Sequence, residues 1–164
     1  MTLIIPPNNK IPILDHIINN LYLGDIEAAK QISNLEDNSN INTIVNVTNT
    51  RYPSNQKIIY HHIDIDDSRK ENISQYFDQF NKIVDNAQFH NKNVLVHCAN
   101  SVSRSPTLVL AYLIHKGLTL KEALNLLKKR DQYTHPNIGF CRQLLDYEKY
   151  ILGKNSILLS ELYQ

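Results

Sequence analysis

The sequence predicts an α/β fold in which a mostly parallel central sheet is flanked by helices. Two compact apolar runs, at residues 43–47 and 94–96, are typical of strands that are buried on both faces. Helical apolar spacing lies between them, and the last third of the chain is helical. Strands that alternate with helices and then give way to a run of helices favour this architecture. With 164 residues, the chain fits one domain that buries a sufficient core without metals or disulfides.

The first elements are predicted from a turn residue and a helix cap. Residues 17–24 form an early strand or hairpin that ends at Gly24. Asp25 follows at once and is placed to cap a helix that begins at Ile26. The apolar run at 43–47 is the first buried strand.

The middle of the chain continues with an extended segment, a helix and a second buried strand. After a turn at 53–55, residues 57–65 resume an extended pattern, with three apolar members: Ile59, Ile63 and Ile65. From Ser74 onward the apolar residues fall at helical spacing: Phe77, Phe80, Ile83, Val84 and Ala87. Residues 93–97 then form the central strand.

The remaining third predicts three successive helical features. A helix over 105–116 stops at Gly117, and Thr119 with Glu122 forms a capping box for the next helix. A turn at 135–137 leads into the last helix, whose predicted apolar side is Phe140, Cys141, Leu144, Leu145 and Ile151. The tail, 153–164, could extend this helix, pack back on the domain or stay mobile.

Composition excludes several classes of protein. Seventeen Lys and Arg against sixteen Asp and Glu leave a net charge of +1, without the basic field that draws proteins to nucleic acid. Two cysteines are too few for a disulfide framework and favour reduced thiols inside the cell, in cytoplasm or nucleus. No apolar window is long enough to enter a membrane, so we expect a soluble protein.

The segment between the central strand and the following helix carries the chemistry. It reads CANSVSR, with Cys98 at the carboxyl end of the strand and Arg104 at the start of the helix. Backbone N–H groups in such turns converge on phosphate oxygens, and the helix dipole adds attraction. Arg104 offers a bidentate grip on two oxygens. Positive charge at a helix terminus favours ionised thiols, so we expect Cys98 to be a thiolate nucleophile at neutral pH.

Two neighbours of this unit receive supporting roles. We expect His97 to orient the loop through hydrogen bonds, and Ser105 to bond the sulfur and help it leave during hydrolysis. The phosphate-binding loop is then made of Ala99, Asn100, Ser101, Val102, Ser103 and Arg104. No metal or organic cofactor is required by this chemistry.

The segment VHCANSVSRSPTLVLAYL resembles the active-site segment of the dual-specificity protein phosphatases, which belong to the cysteine-based protein tyrosine phosphatase superfamily. Further landmarks occur in the same order: NNLYLGDIEAA, INTIVNVT, ISQYF and PNIGFCRQLLDYE. The resemblance covers residues 12–152, between an arm at 1–11 and the tail. It implies the small dual-specificity type of tyrosine phosphatase fold, and hydrolysis of phosphotyrosine and phosphoserine or phosphothreonine through a phosphocysteine intermediate.

The resemblance also assigns an acid and a supporting residue. The spacing of Tyr60, Ile63 and Asp67 implies that Asp67, thirty-one residues before Cys98, protonates the leaving oxygen and then activates water. Asp66 is the neighbouring candidate. Asn137 matches a position that steadies the phosphate loop. Phosphorylated proteins, with kinases among the candidates, are the implied partners.

One loop position departs from the family pattern and leaves alternatives open. Ser101 stands where relatives generally carry glycine, and a non-glycine residue there costs of order 1 kcal/mol or more. A low-activity module that binds phosphorylated proteins is therefore an alternative, as is a phosphatase for lipid or RNA phosphoesters. The loop lacks the lysines of relatives that act on phosphoinositides, which favours protein substrates.

Three other groups of residues are interpreted as structural. Cys141 lies on the apolar side of a helix and is predicted to be a core residue. His61 and His62 are adjacent on a strand and point to opposite faces, which favours packing over metal binding. The basic residues at 128–130 end a helix, where cations complement its dipole.

Overall fold

The structure is a computed structural model that describes residues 2–35 and 40–164. Its strands are β1 (Leu14–Ile18), β2 (Leu21–Gly24), β3 (Thr43–Asn46), β4 (Ile59–His62) and β5 (Val94–His97). Its helices are α1 (Ile26–Ser33), α2 (Phe77–Phe89), α3 (Arg104–His115), α4 (Leu120–Arg130), α5 (Ile138–Leu152) and α6 (Leu159–Leu162). A 3₁₀ turn at Ile73–Tyr76 precedes α2. None of the helices within the described ranges is long and apolar enough to span a membrane.

The five strands form one sheet in the order β1-β2-β5-β3-β4. The hairpin of β1 and β2 is antiparallel, whereas β2, β5, β3 and β4 run parallel to one another. The predicted mostly parallel sheet is therefore confirmed. In register, His97 at the end of β5 lies between Gly24 and Asn46. The segment after His97 consequently starts at the carboxyl edge of the central strand, where ligands bind in open α/β sheets.

Helices cover both faces of the sheet because consecutive strand residues point to opposite sides. Leu95 and Ile44 pack with Ala29 and Ile32 of α1 on one face. Val96 belongs to the larger cluster on the other face, which includes the apolar residues of α2, α3, α4 and α5. Helix α3 is buried from Ser105 through Ile114, so the helix that follows the predicted phosphate-binding loop is held in the centre of the domain.

The predicted helix caps are present. The Asp25 carboxylate accepts a hydrogen bond from the Ala28 N–H at 2.9 Å. Thr119 and Glu122 form the reciprocal capping box of α4. Such caps satisfy N–H groups that have no partner inside the helix, and each contributes about 1 kcal/mol. Both predictions are confirmed. Caps can be predicted from the sequence because they depend on residues only three positions apart.

Two residues predicted to be apolar members of their elements are largely exposed. Ile59 is 59% exposed because β4 is the terminal strand of the described sheet, with a neighbour only in β3. Ile151 is 40% exposed at the end of α5. Both were predicted from periodicity, and periodicity does not reveal where a covering layer ends.

The tail packs back on the domain instead of extending α5. Gly153 ends that helix with a left-handed φ of 84°, which glycine adopts without steric cost. Ile157 and Leu162 then join the main core. The buried Glu148 carboxylate accepts hydrogen bonds from the Ser156 N–H at 2.9 Å and the Leu120 N–H at 2.6 Å. One side chain therefore ties the tail to the start of α4.

Candidate active site

Cys98 lies directly after β5, in a loop that ends where α3 begins at Arg104. The side chain is buried, with 3% of its surface exposed. The Ser105 hydroxyl donates a hydrogen bond to the Cys98 Sγ atom at 3.0 Å. A donor at this distance stabilises negative charge on sulfur. The strand, the loop and the helix thus bring Cys98, Arg104 and Ser105 into one unit.

Two carbonyl groups of the loop are bonded to the surrounding framework. The Ala99 carbonyl accepts a hydrogen bond from the Ile26 N–H at 3.3 Å, and the Val102 carbonyl accepts one from the His135 N–H at 2.8 Å. By contrast, the amides of residues 99–103 donate to no acceptor in the described part of the chain. A loop with bonded carbonyls and unpaired amides at a helix amino terminus is suited to bind an anion.

Arg104 reaches from the start of α3 to the segment that contains the predicted acid. Its Nη1 atom donates a hydrogen bond to the Ile65 carbonyl at 3.1 Å. Its Nε atom is buried and has no acceptor within residues 2–35 and 40–164. A buried charged donor without a partner is costly, and a phosphate oxygen would satisfy it. The guanidinium is therefore positioned by one bond and retains a donor for an anion.

His97 connects the loop to a tyrosine that sequence reasoning did not identify. Its Nδ1 atom bonds the Cys98 carbonyl at 2.9 Å, and its Nε2 atom bonds the Tyr52 hydroxyl at 2.6 Å. Burial lowers the pKa of His97 to about 4, and the nearby positive charge of Arg104 acts in the same direction. The ring is therefore neutral at pH 7. Because a carbonyl only accepts, Nδ1 carries the proton and the tyrosine hydroxyl donates to Nε2.

Ser101 adopts the left-handed conformation that glycine favours. Its φ is 59°, and its hydroxyl donates a hydrogen bond to Oδ2 of Asp131 at 2.6 Å. Both residues are buried. The other oxygen of Asp131 accepts from the Tyr133 N–H at 2.9 Å. The loop thus keeps a left-handed residue at this position, and Asp131 is a second residue that sequence reasoning missed.

Asn137 links Asp67 to the predicted phosphate-binding loop. Its Nδ2 atom donates to Oδ1 of Asp67 at 3.0 Å, and its N–H donates to Oγ of Ser103 at 2.9 Å. Its own Oδ1 atom caps α5 by accepting from the Phe140 N–H at 2.9 Å. Asn137 therefore caps α5 and also bonds Ser103 and Asp67, so that it connects the Asp67 carboxylate to the loop.

Asp66 is turned toward a different partner. Asn49 donates from Nδ2 to Oδ1 of Asp66 at 3.1 Å and to Oδ1 of Asp64 at 2.6 Å. Neither bond involves Asn137, which bonds Asp67 instead. The geometry therefore favours Asp67 over Asp66 as the carboxyl group associated with the loop.

A close backbone contact explains why the Asp67 segment lies against α5. A methyl group at Gly139 would lie 2.7 Å from the Cα atom of Arg69. Real Cβ atoms do not approach other atoms this closely, so the contact requires glycine. Gly139 therefore allows the chain after Asp67 to dock on the first turn of the helix that Asn137 caps.

The arm contributes one contact to the loop. Lys10 donates from Nζ to Oδ1 of Asn100 at 3.0 Å, which connects residues ninety positions apart. Both side chains are exposed. The amide of Asn100 is thus held at the rim of the loop.

The residues interpreted as structural lie in elements other than the loop that holds Cys98. Cys141 is fully buried in the core, and burial raises the pKa of its thiol to about 11. His62 donates from Nε2 to the Thr48 carbonyl at 2.7 Å, and burial lowers the pKa of His61. Within the described ranges, no group of His, Cys, Asp and Glu side chains is arranged to hold a metal ion. The basic residues Lys128, Lys129 and Arg130 form the last turn of α4.

Solved structures share this fold. The chain superposes on a variant of human DUSP28 with a TM-score of 0.80 and 27% identity, over 87% of this chain and 99% of that one. It superposes on the human tyrosine phosphatase-like serine/threonine/tyrosine-interacting protein with a TM-score of 0.76 and 28% identity, over 85% of this chain and 97% of that one.

Sequence relatives point the same way. Dual specificity protein phosphatase 1 of Arabidopsis thaliana is 37% identical over 79% of this chain and 66% of that protein. Dual specificity protein phosphatase 9 of Homo sapiens is 38% identical over 81% of this chain and 35% of that protein. The chain thus spans less than two thirds of the first and about a third of the second. The family model for the dual specificity phosphatase catalytic domain matches residues 21–150. The chain therefore belongs to the dual specificity phosphatase family.

Proposed function

We propose that this protein hydrolyses phosphotyrosine and phosphoserine or phosphothreonine monoesters in proteins, through a phosphocysteine at Cys98. The observation that carries the proposal is a buried sulfur at the start of a loop whose amides have no acceptor among the described residues. The loop contributes the unpaired amides of residues 99–103, and Arg104 contributes a buried Nε atom without an acceptor among the described residues. Ser105 donates a hydrogen bond to the Cys98 Sγ atom. Three oxygens of a phosphoryl group match this set of donors.

In the first step, the amides and Arg104 hold the non-bridging oxygens while the Cys98 thiolate attacks phosphorus. The sulfur–phosphorus bond forms and the bond from phosphorus to the ester oxygen breaks. Asp67, as a carboxylic acid, gives its proton to the leaving oxygen. This transfer matters because serine and threonine alkoxides are poor leaving groups, and a positioned acid contributes about 10²- to 10⁴-fold.

In the second step, water replaces sulfur on phosphorus. The Asp67 carboxylate takes a proton from the water as its oxygen attacks phosphorus. The sulfur–phosphorus bond breaks and leaves a thiolate, which the Ser105 hydroxyl stabilises at 3.0 Å. Inorganic phosphate leaves, and Asp67 is again protonated for the next cycle. Ala99, Asn100, Ser101, Val102 and Ser103 supply the backbone of the cup in both steps.

The position of Ser101 favours turnover over a module that only binds phosphorylated proteins. A serine that strained the loop out of shape would be expected in an inactive module. Here the residue takes the left-handed φ of 59°, and its hydroxyl is bonded to a buried carboxylate. Nothing in this arrangement requires lipid or RNA as the substrate, and the loop carries no lysine. Phosphorylated proteins, including kinases, in cytoplasm or nucleus are the proposed substrates.

One preparation can test both hydrolysis and binding. The wild-type chain is expected to release phosphate from phosphotyrosine and phosphothreonine peptides, with no added metal or cofactor. Cys98→Ser should lose turnover of these peptides and of p-nitrophenyl phosphate, because an alcohol at this position is not ionised. The same variant should still bind the phosphopeptides, since the amides and Arg104 remain.

Three results would contradict the proposal. Full activity of Cys98→Ser would exclude the phosphocysteine mechanism. Phosphopeptide binding by the wild type without phosphate release would support the binding module, and recovery of turnover in Ser101→Gly would identify its cause. Preference for phosphoinositides or RNA 5′ phosphates over both peptides would assign a non-protein substrate. Cys141→Ser is a matched control, because that thiol is buried in the core.

A further inference from the structure

A second surface feature lies at the opposite end of the sheet from the phosphate-binding loop. A groove of about 530 Å³ runs between β4 and α2. It includes Thr43 and Ile59, the first residues of β3 and β4. Cys98 instead follows the last residue of β5, which runs parallel to β3. A ligand in this groove would therefore leave the phosphate-binding loop open.

The floor of the groove is apolar and partly exposed. Ile59 on the terminal strand is 59% exposed, and it shares the groove with Ile83 and Ala87 of α2. A single exposed isoleucine is ordinary on a protein surface. An exposed isoleucine that continues into an apolar groove offers an anchor point for an apolar side chain from another molecule.

The rim of the groove is cationic. Lys82 from α2 and Lys92 from the turn before β5 both line it and are exposed. Within residues 2–35 and 40–164, the lining includes no Asp or Glu, and neither lysine has a carboxylate at ion-pair distance. This is a local feature, because the whole chain carries seventeen basic and sixteen acidic residues. Unpaired cations around an apolar floor are complementary to a ligand that is both acidic and apolar.

We infer that this groove binds an acidic segment of a partner protein, in which an apolar side chain is flanked by Asp or Glu. The apolar side chain lies between Ile59 and Ile83, and the flanking carboxylates pair with Lys82 and Lys92. A symmetric contact between two copies of this chain is disfavoured, because a two-fold axis through the groove would bring identical lysines together. Nucleic acid is also a poorer match, since its backbone has no apolar side chain for the floor.

Binding of a designed peptide tests the inference without reference to catalysis. The probe is a fluorescein-labelled peptide with the repeating pattern Glu-Leu-Glu-Phe, and the control peptide has Lys in place of every Glu. Fluorescence anisotropy with the full chain should show saturable binding of the acidic peptide only. Its affinity should fall as salt is raised, because exposed charge pairs are screened. Equal binding of both peptides, or no binding of either, would overturn the inference.

Matched variants locate the site. Lys82→Glu/Lys92→Glu should weaken binding about tenfold or more, because both attractions become repulsions. Ile59→Thr keeps a β-branched residue on the strand and should also weaken binding severalfold. Lys121→Glu/Lys154→Glu makes the same charge change at exposed residues outside the groove and should retain wild-type affinity.

Further controls test whether the groove itself holds the peptide. All variants should keep wild-type turnover of p-nitrophenyl phosphate, which reports an intact fold and an unchanged phosphate-binding loop. Equal loss of peptide binding in the Lys121→Glu/Lys154→Glu control would show non-specific attraction and refute the site. Loss of a self-association in Ile59→Thr, seen by analytical ultracentrifugation, would make a second copy the occupant. Displacement of the peptide by single-stranded DNA would make nucleic acid the occupant.

Discussion

The hydrogen bond between Ser101 and Asp131 predicts that Ser101→Gly changes the free energy of unfolding in opposite directions in the wild-type chain and in an Asp131→Ala chain. Ser101 has a left-handed φ of 59°, a conformation that costs a non-glycine residue roughly 1 kcal/mol or more. Its hydroxyl donates to the buried Asp131 carboxylate at 2.6 Å. A hydrogen bond to a charged group contributes about 1.5 to 3 kcal/mol. The bond therefore offsets the backbone strain.

Ser101→Gly should destabilise the wild-type chain by about 1 kcal/mol, because the relief of strain is smaller than the loss of the bond. In an Asp131→Ala background the hydroxyl has already lost this acceptor. The same substitution should then stabilise the chain by up to about 1 kcal/mol, since only the strain is removed. The coupling between the two sites is thus about 2 kcal/mol, within the range for residues in direct contact.

Urea unfolding followed by far-UV circular dichroism measures the four free energies of this cycle. The loss of the bond from the Tyr133 N–H to Asp131 occurs in both Asp131→Ala chains, so it cancels in the coupling energy. Asn91→Gly provides a control, because Asn91 has a similar φ of 56° on an exposed turn. Its effect should be the same in both Asp131 backgrounds. A Ser101→Gly effect of equal size and sign in the two backgrounds would refute the reasoning.

Three further predictions concern the acid, the histidine and pH dependence. Asp67→Asn should lower turnover of phosphothreonine peptides about 10²- to 10⁴-fold, and p-nitrophenyl phosphate less, because nitrophenolate leaves without a proton. Asp66→Asn is the matched control, and a larger loss in this variant would reverse the assignment. Tyr52→Phe should cost about 1 to 3 kcal/mol in urea unfolding, because buried Nε2 of His97 loses its donor; unchanged stability would show that the bond contributes nothing. Burial is the main cause that raises the pKa of Asp15 from 3.8 to about 6, and two nearby carboxylates act in the same direction. The folded state therefore favours protonated Asp15, which adds to the free energy of unfolding. This contribution is present in full below pH 3.8 and is lost as the pH rises through about 6. Asp15→Asn should remove this part of the pH dependence of the urea midpoint, and an unchanged profile would contradict it.

Much of the fold was predictable because its determinants are local. Asp25 and the Thr119 capping box are recognisable from residues three positions apart, and the structure contains both caps. The central strand and α3 follow from two adjacent apolar runs; the loop between them holds Cys98, and Arg104 is the first residue of α3. Residues that are close in sequence are constrained by the same hydrogen-bonding geometry. Their pattern therefore specifies the element without knowledge of the rest of the chain.

The partners of the candidate site were less accessible to sequence reasoning. Tyr52 bonds His97 across forty-five residues, and Ser101 bonds Asp131 across thirty. Neither tyrosine nor aspartate stands out in its own segment, so no local pattern identifies them. The resemblance assigned the acid to Asp67, but it did not reveal that Asp66 bonds Asn49 or that Asp67 bonds Asn137, because these partners come from distant parts of the chain.

By itself, the sequence determined the alternation of strands and helices along the chain, two of the helix caps and the strand–loop–helix unit that contains Cys98. Tertiary structure alone decided which faces are covered. It left Ile59 exposed at the edge of the sheet and buried Leu162 of the tail. It also decided that Ser101 is tolerable, because Asp131 lies within bonding distance. The physical reason is that secondary structure depends on neighbouring residues, whereas burial and long-range bonds depend on how the whole chain packs.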